Sequence, residues 1–206
     1  MRKIIPPSLK NSVYNAIVNS QLSYAISVWG GSLAGDKIKP LFVLQKRALR
    51  NLWSIKREST YVKGHTKPLF QKYKILTVYN LYNYMTVLNL GKTINTMEPV
   101  FLHKVLKLDK PSHRNLVHVP LFKRNQYQNS FCYHAPKLWN NLVSSSKYCN
   151  DCTGAPTLAS MKSRLKSFLL KLQAYGDNHD WIEANKHVDQ YLTSAKADPY
   201  LVHLTE

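Results

Sequence analysis

The sequence predicts a mainly α fold with a small two-stranded β insert near residues 116–133. Three observations lead there. Apolar residues recur at three- and four-residue spacing in several separate stretches, the period of a helix with one buried face. Proline, serine or threonine heads most of these stretches, and glycine closes several. Only Leu116-Val117-His118-Val119 and Ser130-Phe131-Cys132-Tyr133 read as extended, with a polar turn over 123–129 between them. The 206 residues, 44% of them apolar, suffice for one large domain or two small ones.

The elements follow in order. Pro6-Pro7-Ser8 predicts a helix entry with Ser8 as N-cap. Leu9, Val13, Ala16, Ile17, Tyr24, Ala25 and Val28 form its apolar face, until Gly30-Gly31 stops it. A second helix is expected to start near Pro40, burying Leu41, Leu44, Ala48 and Leu52. Thr66-Lys67-Pro68 opens a short helix carrying Leu69, Phe70 and Tyr73. Thr77 is placed to cap a longer one with Val78, Leu81, Tyr82, Met85 and Leu88, ended by Gly91. Glu98-Pro99 begins another short helix with Phe101, Val105 and Leu108, and Pro136-Lys137-Leu138-Trp139 starts one more. Thr157 caps the clearest helix, whose Leu158, Met161, Leu165, Phe168 and Leu172 repeat at 3-4-3-4 spacing up to Tyr175-Gly176. The expected organisation is a helical region over 1–110, the β insert plus amphipathic helix over 111–176, and an acidic tail over 177–206 with room for one short helix.

Charge sets the function class. Lys and Arg number 29 against 11 Asp and Glu, a net +18. The tail from Asp177 holds two lysines against six acids, which leaves +22 on residues 1–176 and points to a polyanionic partner. Asp36, Glu58, Glu98, Asp109 and Asp151 are the only acids in that body, and no two lie close in sequence. There is therefore no carboxylate pair to hold two magnesium ions for phosphoryl or nucleotidyl transfer, and the chain alone is not expected to be an enzyme. Three cysteines are too few for a disulfide framework and fit a reducing, intracellular setting, nuclear or cytoplasmic. No apolar run approaches 18 residues and no secretory signal heads the chain, so no membrane partner is expected.

The nucleic-acid candidates are Lys46, Arg47 and Arg50, which share an arc of roughly 100° on the second helix, with Lys37, Lys39, Lys56 and Arg57 flanking them. Phosphate contacts by such cations release counterions and supply most non-specific affinity, although a solvated helix face has the same composition. Tyr79, Tyr82 and Tyr84 are possible base-stacking rings, more simply read as core lining. Lys162, Arg164, Lys166 and Lys171 flank the last apolar stripe, where their stems fit equally well as cover for it. Cys132 and His134, sharing one face of the expected strand, make with Cys149 and Cys152 a weak zinc set, and buried or incidental thiols are the simpler reading. His179, Glu183 and His187 fall at helical spacing but opposite the apolar residues of their segment, facing solvent. The run from Gly30 to Lys37 lacks the Lys-Ser/Thr and preceding strand of a phosphate loop, and 30–34 likewise makes no nucleophile elbow.

Four ordered segments carry a resemblance. Leu22-Ser23-Tyr24-Ala25-Ile26-Ser27-Val28-Trp29-Gly30, then Leu44-Gln45-Lys46-Arg47-Ala48-Leu49-Arg50, then His65-Thr66-Lys67-Pro68-Leu69-Phe70 with Lys74-Ile75-Leu76, and finally Ser130-Phe131 with Ala135-Pro136-Lys137-Leu138-Trp139-Asn140 resemble the region after the palm in non-LTR (LINE-type, jockey and CR1-like) retrotransposon reverse transcriptases. Ala135 stands where that family's tract has glycine. The resemblance spans roughly Pro6–Leu172 and leaves the tail unmatched. It implies a helical, thumb-like bundle that contacts RNA or an RNA–DNA hybrid. The catalytic Tyr-x-Asp-Asp has no counterpart here, so the chain resembles a C-terminal fragment of an RNA-directed DNA polymerase, and magnesium would belong to the absent palm. No cofactor is expected in this chain. The alternatives are a helical protein-interaction module, motivated by the heptad-like 157–172 stripe, and a decayed mobile-element remnant that binds no nucleic acid.

Overall fold

A computed structural model describes residues 5–24, 26–32, 38–53, 66–96, 98–108, 116–121, 127, 130–145 and 158–174. The described residues are mostly helical: α1 (Pro7–Val13), α2 (Ser20–Ser23), α3 (Ile26–Trp29), α4 (Lys39–Trp53), α5 (Lys67–Lys72), α6 (Val78–Thr96), α7 (Val100–Leu106), α8 (Phe131–Ser145) and α9 (Leu158–Ala174). Among them α6 is the hub, packed against α3, α4, α8 and α9. It buries residues on several sides, polar Asn80, Thr86 and Thr93 among them, as a helix enclosed by neighbours does. One buried cluster runs from Tyr14 to Leu169 and takes in residues of α4, α5, α6, α8 and α9.

Several helix starts match their sequence signals. Thr77 Oγ1 accepts the Asn80 N–H, the expected N-cap of α6. Pro40 sits in the first turn of α4; α9 begins at Leu158, and Thr157, its expected cap, lies outside the described residues. Pro6 rather than Ser8 precedes the first helical residue, and its carbonyl accepts the Leu9 N–H. Between α1 and α2 the winding widens over Tyr14–Asn19, so that the Ser20 N–H reaches back five residues to Asn15. The expected apolar face is only partly buried on either side of this widening. Tyr14 is fully buried, while Leu9, Ile17, Tyr24 and Val28 face solvent.

Gly91 does not end α6, which continues to Thr96. A Cβ there would stand 2.6 Å from Met161 Cε and 2.8 Å from its Sδ, so the missing side chain is the seat of the α9 thioether. Gly30 does interrupt helix, leading into a tight turn over Gly30–Ser32. A Cβ at Gly30 would lie 2.5 Å from a ring carbon of Tyr82, which fixes how closely the turn approaches α6. In α7 the buried face is Leu102, His103 and Leu106, whereas Phe101 and Val105 are exposed. The helix closes on Lys107 in the left-handed conformation, with the Leu108 N–H returned to the His103 carbonyl.

The β insert is corrected. Among the described residues there is no strand, and 131–133 form the first turn of α8. The Ser130 carbonyl accepts the N–H groups of Tyr133 and His134, which starts a helix where alternation suggested a strand. Residues 116–121 are non-helical, as expected, but their partner is a side chain. The Asn140 amide donates to the Val117 carbonyl at 2.7 Å and accepts its N–H at 2.8 Å, taking the place of a neighbouring strand. Ala135 is fully buried inside α8, so no glycine turn is needed at that point.

Candidate nucleic-acid interface

The face that α4 turns outward is set by what it buries. Phe42, Gln45 and Leu49 are buried, and Leu44, expected inside, is 55% exposed. Gln45 displaces an apolar residue from the core because its amide is fully used. Nε2 donates to the Tyr14 hydroxyl and to the Leu76 carbonyl, each at 2.9 Å, and Oε1 accepts the Val78 N–H at 2.9 Å. That last bond satisfies an otherwise orphaned donor at the start of α6.

With Phe42, Gln45 and Leu49 inward, Lys39, Lys46 and Arg50 fall at i, i+7 and i+11. At about 100° per residue these three lie within roughly 40° of one another, a single stripe along the helix. The rise of about 1.5 Å per residue separates Lys46 from Arg50 by about 6 Å and Lys39 from Lys46 by about 10 Å along the axis. Arg47 is exposed and stands to one side of this stripe. Lys37, Lys56 and Arg57 lie outside the described residues.

The charged side chains of α4 are all cations. Lys46 is half-buried, its ammonium 4.5 Å from the Phe42 ring centroid. Burial pushes that ammonium below the usual lysine range, and repulsion from Arg50 and then Lys39 lowers it further. No acidic residue occurs in α4, and Glu98 is the one acid among the described residues. Like charges gathered this closely repel, and an incoming anion relieves that repulsion.

Beyond Arg50 the stripe ends on an aromatic pair. Trp53, at i+3 from Arg50, meets Tyr73 at a ring separation of 4.2 Å and an interplanar angle of 34°. Tyr14 adjoins Trp53 at 6.3 Å, and the Lys72 ammonium lies 5.8 Å from the Tyr73 centroid. Neither Trp53 nor Tyr73 stood out in the sequence as a functional ring. The available signal was that Trp53 continues the Lys39, Lys46, Arg50 register by one turn.

The three tyrosines singled out on α6 line the core instead. Tyr79 is buried edge-on to Phe42 at 5.4 Å, Tyr82 packs against Gly30, and burial raises the Tyr84 hydroxyl pKa. Lys162, Arg164, Lys166 and Lys171 are exposed on α9 around a stripe, Met161, Leu165 and Leu169, that is buried against the rest of the chain. Of the heptad-like residues, Met161 and Leu165 are thus occupied internally, while Leu158 and Phe168 are partly exposed.

Cys132 and His134 do not share a face. Both lie in α8, where a two-residue step turns about 200°, so the strand geometry that grouped them is absent. Burial raises the Cys132 thiol pKa, the environment of a structural rather than a reactive cysteine. Cys149, Cys152, His179, Glu183 and His187 lie outside the described residues. No group of three or more metal-ligating side chains is gathered among the described residues. Likewise, no helix among them is long and apolar enough to cross a membrane.

Comparison with protein-family models, with curated proteins and with solved structures finds no match to this chain.

Proposed function

We propose that the chain is a nucleic-acid-binding module whose α4 stripe of Lys39, Lys46 and Arg50, with Arg47 beside it, holds a phosphate backbone. The observation that carries this reading is the stripe itself: cations aligned along one side of α4, from exposed Lys39 to half-buried Lys46 and Arg50, without an acid in the helix, in a body of net charge +22. The resemblance of residues 6–172 to the region after the palm of non-LTR reverse transcriptases extends the reading. In that setting the module is the C-terminal part of an RNA-directed DNA polymerase that contacts template and primer, with the copying chemistry residing in residues outside this chain. RNA or an RNA–DNA hybrid is then the partner.

Filter binding of the full chain to an RNA–DNA hybrid across a salt series tests the proposal. Engagement of three or four phosphates gives log K against log salt a slope of about −3. Binding undetectable at low salt, or independent of salt, rejects it. The protein-interaction alternative has less to rest on, since Met161 and Leu165 of the stripe that motivates it are buried against the chain.

A further inference from the structure

The aromatic pair at the end of the cationic stripe has no counterpart in simple phosphate binding. Tyr14, Trp53 and Tyr73 make a run of rings that passes from the interior outward: Tyr14 is fully buried, while Trp53 and Tyr73 are half-buried. Lys72 places an ammonium beside the Tyr73 ring. Trp53 lies one helical turn beyond Arg50, about 4.5 Å along the axis, which is within the reach from a nucleotide's phosphate to its base. A cation that fixes a phosphate and a ring one turn further on are the two components of single-strand recognition.

We propose that Trp53 and Tyr73 form a stacking platform for an unpaired base, so that the α4 interface takes single-stranded nucleic acid, or the single-stranded end of a hybrid, in preference to blunt duplex. This rests on the reading of α4 as a phosphate-binding face and adds to it the class of strand bound. A duplex keeps its base faces within its own stack and offers only phosphates and edges. An unpaired strand offers a π-face for each phosphate. Lysine and arginine alone do not distinguish the two, whereas an outward run of rings does. The platform is tolerant of base identity, because every base has a face to stack.

The test uses the full chain with single-stranded oligo-dT and oligo-rU of about 12 nucleotides, a blunt duplex of equal length, and a 12-mer of the same backbone lacking every base. Wild type binds the abasic strand at least about fivefold more weakly than oligo-dT or oligo-rU, the scale of one lost stack. Tyr73→Leu weakens the base-bearing single strands by a similar factor, leaves duplex and abasic binding within about twofold, and is matched by no loss in Tyr73→Phe. The dT and rU arms show whether the strand taken is DNA, RNA or either. Equal binding of abasic and base-bearing strands by the wild type overturns the platform, even if Tyr73→Leu fails to fold. Equal weakening of single strand and duplex by a folded Tyr73→Leu also overturns it, while salt-dependent binding itself leaves the phosphate-binding reading intact. Absence of binding to every probe rejects both.

Discussion

Gln45 and Gln173 grip alternate peptide groups of one four-residue segment. The Gln45 amide pairs with the Leu76 carbonyl and the Val78 N–H, and the Gln173 amide pairs with the Ile75 carbonyl and the Thr77 N–H. Each glutamine thus does for this segment what an adjacent strand would do, and together they join α4 and α9 to the start of α6. Both side chains are almost wholly buried, at 1% and 2% exposure, so each bond is made away from water. Replacing either residue by leucine leaves a buried carbonyl and a buried N–H unpaired, at about 1–3 kcal/mol for each group. Urea unfolding of Gln45→Leu and Gln173→Leu is expected to show losses of that order. The double variant is expected to lose less than the sum, because the two residues hold one segment.

Asn140 plays the same part for residues 116–121. Asn140→Leu removes both partners of the buried Val117 peptide groups and is expected to lower stability by about 1–3 kcal/mol. Hydrogen exchange locates the effect: the Val117 amide should lose protection more than the amides of α6.

Gly91 and Met161 are expected to be coupled. Gly91→Ala drives a methyl into the thioether and costs about 1–3 kcal/mol of overpacking, reduced by alanine's better helix propensity. In a Met161→Ala background the same substitution fills part of the vacated space. There it should be neutral or stabilising, and a double-mutant cycle in denaturant reads the difference.

Tyr14 makes stability fall at high pH. Burial pushes its hydroxyl up to about 12 from 10.0, an effect that the Gln45 hydrogen bond partly offsets. Above pH 10 the unfolded chain loses this proton while the folded chain retains it to about pH 12. The unfolded state then binds fewer protons, and stability declines as pH rises through that window. Tyr14→Phe is expected to shallow the decline between pH 10 and 12, measured by thermal melts, against a parent that shows the full slope.

The sequence made helix existence and many boundaries legible because caps and prolines act locally: Thr77, Pro40 and the Thr66-Lys67-Pro68 entry all stand where helices begin. Helix faces were less legible, and for a physical reason. On α4 an apolar-stripe rule chooses Leu44 over Gln45, yet Gln45 is buried because the segment it must satisfy lies 31 residues away. After α1 the winding widens over Tyr14–Asn19, which no local spacing reveals. The 130–133 segment alternates like a strand, but the Ser130 carbonyl starts a helix there. The cationic character of α4 was readable from Lys46, Arg47 and Arg50. The stripe through Lys39 and the aromatic pair at its end required knowing which face turns inward.

The most direct measurement is the salt slope of RNA–DNA hybrid binding by the wild type and two triple variants. One variant is Lys39→Ala, Lys46→Ala and Arg50→Ala on α4, and the other is Lys162→Ala, Arg164→Ala and Lys166→Ala on α9. If α4 holds the phosphate backbone, the first triple reduces the magnitude of the slope by about three units, while the second leaves it within about one unit of wild type. Equal reductions by both triples, or an unchanged slope in the first, would contradict a phosphate-binding role for this face.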